Sequence, residues 1–179
     1  SIGSELCRQI ARFQPGAIIG FDIAETALFY LHREMQRSSP GVPFHAEIGS
    51  IQSPRRLAEI FRQYSPSIVY HAAAYKHVPM MEGHLFEALE NNVFGTYNVA
   101  MAAAEHGVED FVMISSDKAV RPTSIMGATK RLAELLILSL QDGGTKFVAV
   151  RFGNVLGSNG SVIPVFKQQI AVGGPVRTT

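Results

Sequence analysis

Three side chains that can move or hold protons stand consecutively in this sequence: the hydroxyl of Ser116, the carboxyl of Asp117 and the amine of Lys118. They close and follow "DFVMISS" (110–116), a short Val-, Ile- and Phe-rich run that reads as a strand buried on both faces. Adjacent titratable groups at the end of such a strand can supply an acid and a base to one substrate, because their surroundings can pull their pKa values apart. The plainer alternative is a surface ion pair in a loop. Beyond them a helical pattern at 124–141 carries Met126 and Lys130, four apart and therefore on one face. A thioether has no proton to give or take, so Lys130 alone of these two can do acid–base or ionic work. Here too a plainer reading stands: Met126 as ordinary core, Lys130 as a solvated residue beside Arg131.

Other groups belong to the same edge of a sheet. "HAAA" (71–74) follows the apolar "SIVY" run, and the small side chains of Ala72, Ala73 and Ala74 let a cofactor lie against a strand end, or simply allow tight packing. Lys76 and His77 come next, in a loop at the carboxyl end of a strand, where open α/β sheets bind ligands. His71 and His77 each suit a structural hydrogen bond. Neither has a second histidine or a carboxylate at a ligand spacing, so no metal site is expected. Asn92 is expected to tie neighbouring strand ends together, and Gly95 with the alanines of 100–104 to admit a close helix. Near the start, Gly3 stands at the foot of an amphipathic helix and Asp22 ends "AIIGFD" about 20 residues later. That spacing is the second half of a dinucleotide fingerprint, with the acidic side chain accepting from a ribose 2′-OH. A carboxylate there repels a 2′-phosphate and favours NAD over NADP. Asp22 capping the helix from Ala24 is the alternative.

Around these groups the chain alternates strands and helices. Strands are expected at 17–22, 67–74, 110–116 and 146–152, with a weaker one at 43–48. Helices are expected at about 3–14, 24–37, 54–64, 84–106 and 124–141, the third opened by Ser53 as cap and Pro54 in its first turn. This order implies an α/β fold with a Rossmann-like doubly wound parallel sheet, in a single domain over 1–179 whose substrate-binding part begins at 152–179. On this reading the first strand and the first two glycines of the fingerprint lie outside the chain, which does not begin with Met.

Composition agrees. In 179 residues, 46% hydrophobic content is ample for a core, and 16 Lys and Arg against 15 Asp and Glu give no basic surface for nucleic acid or membrane. The single cysteine, Cys7, cannot form an internal disulfide, which suits a reducing cytoplasm. Neither a signal peptide nor a membrane-spanning apolar run is visible.

"SIGSE", "HAAAYKHVPMME", "NNVFGTYN", "SSDKAVRPTSIMGATK" and "RFGNVLGSNGSVIP" occur in this order at spacings that resemble extended short-chain dehydrogenases acting on nucleotide sugars. Within them the chain most resembles the polysaccharide-biosynthesis branch of UDP-N-acetylglucosamine 4,6-dehydratases, from Ser1 to about Pro175. The resemblance implies NAD contacts at Ser1, Ile2, Gly3, Asp22, Ser50, Ile51, Ala72, Ala73 and Ala74, with Lys130 holding the nicotinamide ribose. It implies a substrate hydrogen bond from Ser116, Asp117 as acid at C6 and Lys118 as base at C5. Substrate contacts are implied at Lys76 and Asn154, with Val162, Ile163, Pro164, Val165 and Phe166 beside the uridine diphosphate. Met126 occupies the position where these enzymes usually carry a catalytic tyrosine, a replacement that one branch of the dehydratases shares. A UDP-sugar is then the expected substrate and a homo-oligomer formed through the two long helices the expected assembly, with the whole protein cytoplasmic or at the cytoplasmic face of a membrane. The rival expectations are an NAD-dependent nucleotide-sugar epimerase and a non-catalytic NAD-binding domain.

Overall fold

The computed structural model describes residues 2–155 and 162–175, without the side chains of residues 142 and 162–165. The expected alternation is present as α1 (Ile2–Ala11), β1 (Ile18–Asp22), α2 (Glu25–Ser38), β2 (Phe44–Ile48), α3 (Pro54–Tyr64) and β3 (Ile68–His71). Then come α4 (Val78–Glu82), α5 (Leu85–Leu89), a π-helical turn (Glu90–Phe94), α6 (Gly95–Glu105) and β4 (Asp110–Ile114). A 3-10 turn (Asp117–Ala119), α7 (Ile125–Leu138), a second 3-10 turn (Gln141–Gly143), β5 (Lys146–Val150) and α8 (Val162–Ala171) complete the order.

All described pairings are parallel. β1 pairs with β2, and β4 lies between β3 and β5, with Asp110 opposite Lys146 and Ile114 opposite Val150. The α/β parallel class follows the strand–helix alternation. The pairings form two ladders, β1–β2 and β3–β4–β5, and among the described residues no ladder joins β1 to β3.

The main core forms where one face of β3–β4–β5 meets the helices. Phe111 and Met113 of β4 and Phe147 of β5 pack with Val99, Ala100 and Ala103 of α6 and with Ala133 and Ile137 of α7. The Phe111 and Phe147 rings sit 5.2 Å apart, centroid to centroid. The alanines of α6 admit close helices as expected, with Ala100, Ala102 and Ala103 in one cluster with Leu57 and Phe61 of α3 and Ala133 of α7. Gly95 works differently from expectation: a Cβ there would stand 2.5 Å from the Ile51 side chain, so its partner is a loop residue and not a helix. A second cluster joins Ala11, Ile18, Met35, Val42 and Phe44 beside α1 and α2.

Several elements end earlier than expected: α1 at Ala11 and not at residue 14, β4 at Ile114 and not at 116, and β5 at Val150 and not at 152. β3 ends at His71 and not at residue 74, and four residues on the backbone N–H and C=O of Tyr75 are both taken by the Asn92 side chain, at 2.8 and 3.0 Å. The helix expected at 84–106 runs without interruption from Leu85 to Glu105, with a π turn containing Asn92 inside it and the short α4 before it. α7 stops at Leu138, where the backbone tightens into irregular turns. α3 begins as its sequence indicates, with Ser53 Oγ accepting from Arg56 N and Pro54 in the first turn.

The first turn of α7 lies against the 117–119 turn. A Cβ at Gly127 would stand 2.5 Å from the carbonyl oxygen of Lys118, a backbone atom with little freedom to retreat. Gly127→Ala should therefore cost about 1–3 kcal/mol in a urea-unfolding measurement. Gly83→Ala, whose new Cβ would have no described heavy-atom neighbour nearer than 3.8 Å, should stay within about 0.5 kcal/mol of the parent. Equal stability of the two variants would contradict the contact.

Candidate active site

The β4–β5 ladder continues past its regular ends. Ser115 N donates to Val150 O at 2.7 Å and Asp117 N to Phe152 O at 3.1 Å, so both chains stay side by side where Ser116 and Asn154 emerge. Ser116 Oγ caps the 3-10 turn by accepting from Lys118 N at 3.3 Å, and donates to Asp117 Oδ1 at 3.0 Å. Lys118 Nζ donates to Asp117 Oδ1 and to Asn154 Oδ1, both at 3.1 Å. Lys118 and Asn154 are 36 residues apart, the same offset that pairs β4 with β5. The parallel register thus carries through into the side chains. Hydrogen bonds from Lys118 first, then Ser116, hold the Asp117 carboxyl below the ordinary carboxylate range. With 55% and 38% of their side chains exposed, Asp117 and Lys118 form a solvent-facing ion pair that adds little to stability.

α7 brings in Lys130. Its N-terminus is fixed by Ser124 Oγ, which accepts from Gly127 N at 3.1 Å, and by Glu82, which accepts from Ile125 N at 2.8 Å. One turn further on, Lys130 is buried and its Nζ donates to the carbonyl oxygen of Ile114, the last residue of β4, at 2.6 Å. Burial pushes its pKa down from 10.5 to about 8, while the Glu134 carboxylate pulls the other way. Met126 lies one turn before Lys130 and is also buried, but its partners are Met81 and Ala88, with Val78 and Ile125 alongside. It packs with α4 and α5, whereas Ser116, Asp117, Lys118 and Asn154 bond to one another.

A polar chain runs beneath the site. His71 Nε2 lies 2.8 Å from Thr96 Oγ1, which donates to Asn92 O at 2.7 Å. Because the threonine proton is committed to that carbonyl, His71 Nε2 carries the hydrogen in this contact. Burial first, then the nearby Lys130 charge, pushes the His71 pKa down to about 3, so it stays neutral. Asn92 Nδ2 also donates to Thr129 Oγ1 at 3.2 Å, beside Lys130 in sequence. Asn92 thus ties the loop after β3 to α7.

The other expected contacts are spread along the chain. Ile2 and Gly3 open α1, and Ser1 lies outside the described residues. Asp22 is exposed at the end of β1, where its Oδ1 accepts from Ala24 N at 2.9 Å. Ser50 Oγ accepts from Gln52 N at 3.1 Å. The Ile51 side chain belongs to the main core, and its carbonyl accepts from Asn98 Nδ2 at 3.1 Å. Ala72, Ala73, Ala74 and Lys76 follow β3 in the loop leading to α4. Val162, Ile163, Pro164, Val165 and Phe166 open α8; the side chains of the first four lie outside the described residues, and Phe166 is half-buried. Among the described contacts none joins α8 to the Ser116–Asn154 cluster.

Sequence reading missed Glu134 and Arg151. Glu134 is almost fully buried and accepts from Ser115, Arg151 and Arg131. Two signals were present: Glu134 lies four residues after Lys130 on the same helical face, and Arg151 closes a strand at the same sheet edge as Ser115.

The whole chain, residues 1–179, matches the family described as polysaccharide biosynthesis protein. It belongs to that family. The probable polysaccharide biosynthesis protein EpsC of Bacillus subtilis is 54% identical over all of this chain, which spans 30% of the relative's length. A UDP-N-acetylglucosamine 4,6-dehydratase (inverting) of Campylobacter jejuni is 39% identical over 70% of this chain and 38% of its own. Among solved structures, Pen from Bacillus thuringiensis superposes with a TM-score of 0.87 at 36% identity, over 96% of this chain and 54% of that one. The chain therefore spans about a third to a half of the relatives it matches. Among the described residues no helix is long and apolar enough to cross a membrane, and no cluster of three His, Cys, Asp or Glu side chains could hold a metal.

The Lys130 geometry yields a stability prediction. The folded chain releases this proton near pH 8, whereas the unfolded chain holds it to about pH 10.5, so stability rises with pH across that window. Lys130→Met should stabilise the fold at pH 7 by up to about 3 kcal/mol, less about 1 kcal/mol for the Ile114 carbonyl left without its donor. The gain should vanish by pH 10.5, as followed by urea unfolding at both pH values. A variant less stable than the parent at pH 7 would contradict the burial argument.

Proposed function

We propose that this chain is the cofactor-binding core of a nucleotide-sugar 4,6-dehydratase, converting UDP-N-acetylglucosamine to a UDP-4-keto-6-deoxy sugar for surface polysaccharide. The observation that carries the reading is the Asp117–Lys118 pair at the joined ends of β4 and β5, tied to Asn154 and backed by Lys130. An epimerase acting only at C4 needs no acid and base for elimination; a dehydratase needs both.

The residues suit a dinucleotide. Asp22 has one oxygen committed to Ala24 N, which leaves the second to accept from a ribose hydroxyl. Lys130 spends one of its three hydrogens on Ile114 O among the described contacts, and two remain for the nicotinamide ribose. The Asp22 carboxylate favours NAD over NADP. Ile2, Gly3 and Ser50, with Ala72, Ala73 and Ala74 at the end of β3, complete the proposed cradle. When bound, NAD would take a hydride from C4 of the sugar and, once reduced, return it to C6.

The protein's own groups account for the elimination. A sugar with a carbonyl at C4 has an acidic C5 proton. In the resting site Asp117 is a carboxylate and Lys118 an ammonium donating to it, the reverse of what elimination needs. Moving one proton along that 3.1 Å bond produces a carboxylic acid and a free amine. A sugar that covers the turn removes water from both groups and favours this neutral form. The Lys118 amine then takes the C5 proton as the C6–O bond breaks, and Asp117 protonates the departing hydroxyl to give water. Met126 contributes no proton, so the C4 hydroxyl proton falls to a water held by Ser116 and Lys130, or to Lys118 if that amine passes it to solvent before taking the C5 proton. Lys76 and Asn154 contact the nucleotide sugar, and residues 162–166 pass beside its diphosphate.

The same reading places the enzyme in the cytoplasm, where NAD and UDP-sugars are found, and makes it a homo-oligomer. Phe94 and Tyr97 near the start of α6, and Leu132, Leu135 and Leu138 along α7, are large apolar side chains between 41% and 52% exposed on two helices that touch. Leu135→Arg should lower the oligomeric state seen by light scattering; an unchanged mass would count against pairing through these helices.

The deciding measurement gives the full-length protein UDP-N-acetylglucosamine in deuterated water. A 6-deoxy-4-keto product with deuterium at C5 is expected, and Lys118→Ala should abolish it. A C4 epimer retaining its C6 oxygen would transfer the chain to the epimerases, and unchanged substrate would overturn the reading.

A further inference from the structure

Glu134 is a buried carboxylate that the proposed chemistry does not use. Only 1% of its side chain is exposed, yet it accepts four hydrogen bonds. Ser115 Oγ donates at 2.5 Å and Arg151 Nε at 2.8 Å to Oε1, while Arg151 Nη2 at 2.6 Å and Arg131 Nη1 at 3.1 Å donate to Oε2. The arginine fork holds both oxygens, the strongest geometry available to such a pair. Ser115 directly precedes Ser116, and Arg151 lies at the end of β5, shortly before Asn154. Glu134 itself sits one helical turn after Lys130 on the same face of α7. One side chain therefore grips the ends of β4 and β5 and the helix that delivers Lys130.

We propose that Glu134 is a positioning residue, which fixes the spacing between the Ser116–Lys118 turn, Asn154 and Lys130 and supplies the negative charge that keeps Lys130 protonated. This rests on the dehydratase reading for its catalytic consequence, but not for its geometry. Burial opposes the Glu134 charge, yet the hydrogen bonds from Arg151, Ser115 and Arg131 outweigh it and hold its pKa at about 2. The charge is thus constant across the working pH range. No other described group supplies this charge: His71 of β3 is neutral, Asp117 of the adjoining turn lies in an ion pair with Lys118, and Arg131 and Arg151, bonded to Glu134, act against it.

The test is Glu134→Gln in the full-length protein, a change of charge at nearly constant shape. The Lys130 side-chain signal, labelled with carbon-13 and assigned by its loss in Lys130→Arg, reports the titration by NMR. Its midpoint should fall by about one pH unit in Glu134→Gln. With UDP-N-acetylglucosamine, kcat should fall about tenfold while KM stays within about twofold. Glu134→Asp, which keeps the charge but shortens the reach, should restore the titration and not kcat. An unmoved Lys130 midpoint, or an unchanged kcat in Glu134→Gln, overturns the proposal. Should Glu134→Gln fail to fold, Ser115→Ala removes one of the four bonds and keeps the charge. It should lower kcat with the Lys130 midpoint unmoved, and full activity would again overturn the proposal. If the parent protein leaves UDP-N-acetylglucosamine unchanged, the dehydratase reading fails. The Lys130 titration and the amide shifts of Ser116, Lys118 and Asn154 in Glu134→Gln then decide the role of Glu134, and unmoved signals overturn it.

Discussion

The parallel register of β4 against β5 is the constraint on which the site depends. Once Asp110 faces Lys146, Ser115 and Asp117 must run beside Val150 and Phe152, and Lys118 must come level with Asn154. A slip of one residue would send every side chain to the opposite face. It would part the lysine from the asparagine and turn Phe111 and Phe147 out of the core. Core packing and chemistry are thus set by the same ladder, and the hydrophobic gain that fixes the register also fixes the polar cluster at its end.

The two lysines of the site work under opposite conditions. Lys118 is open to water and bonded to an oxygen of Asp117 and one of Asn154. Lys130 is buried against the carbonyl that ends β4, with burial lowering its proton affinity and Glu134 partly restoring it. These conditions suit the proposed roles: a group that holds a cofactor gains from being fixed and charged, and one that moves protons gains from access. The fold separates these conditions by placing one lysine in a turn and the other on a helix packed against the sheet.

Much of this was legible in the sequence. The consecutive Ser116, Asp117 and Lys118 after an apolar run announced a polar group at a sheet edge, and the run lengths announced the parallel class. Ser53 and Pro54 marked the start of α3 where it occurs. The end of β3 at His71 was hidden, because alanines extend a strand pattern without penalty. The π turn was hidden as well, because local helical propensity does not record it. Gly95 read as a helix contact because glycine signals closeness without naming the neighbour, which is Ile51.

By itself the sequence determined the five strands and the longer helices from α1 to α7, since hydrophobic period and capping act within a few residues, but not α4, the π turn or α8. It also determined which residues can carry charge or protons. Only the tertiary structure decided which of these meet. It joined Lys118 to Asn154 across two strands, placed Met126 among the residues of α4 and α5, and buried Glu134 between two arginines and Ser115. Each of these depends on contacts between residues far apart in the chain, whose energies come from burial and register and leave no local trace.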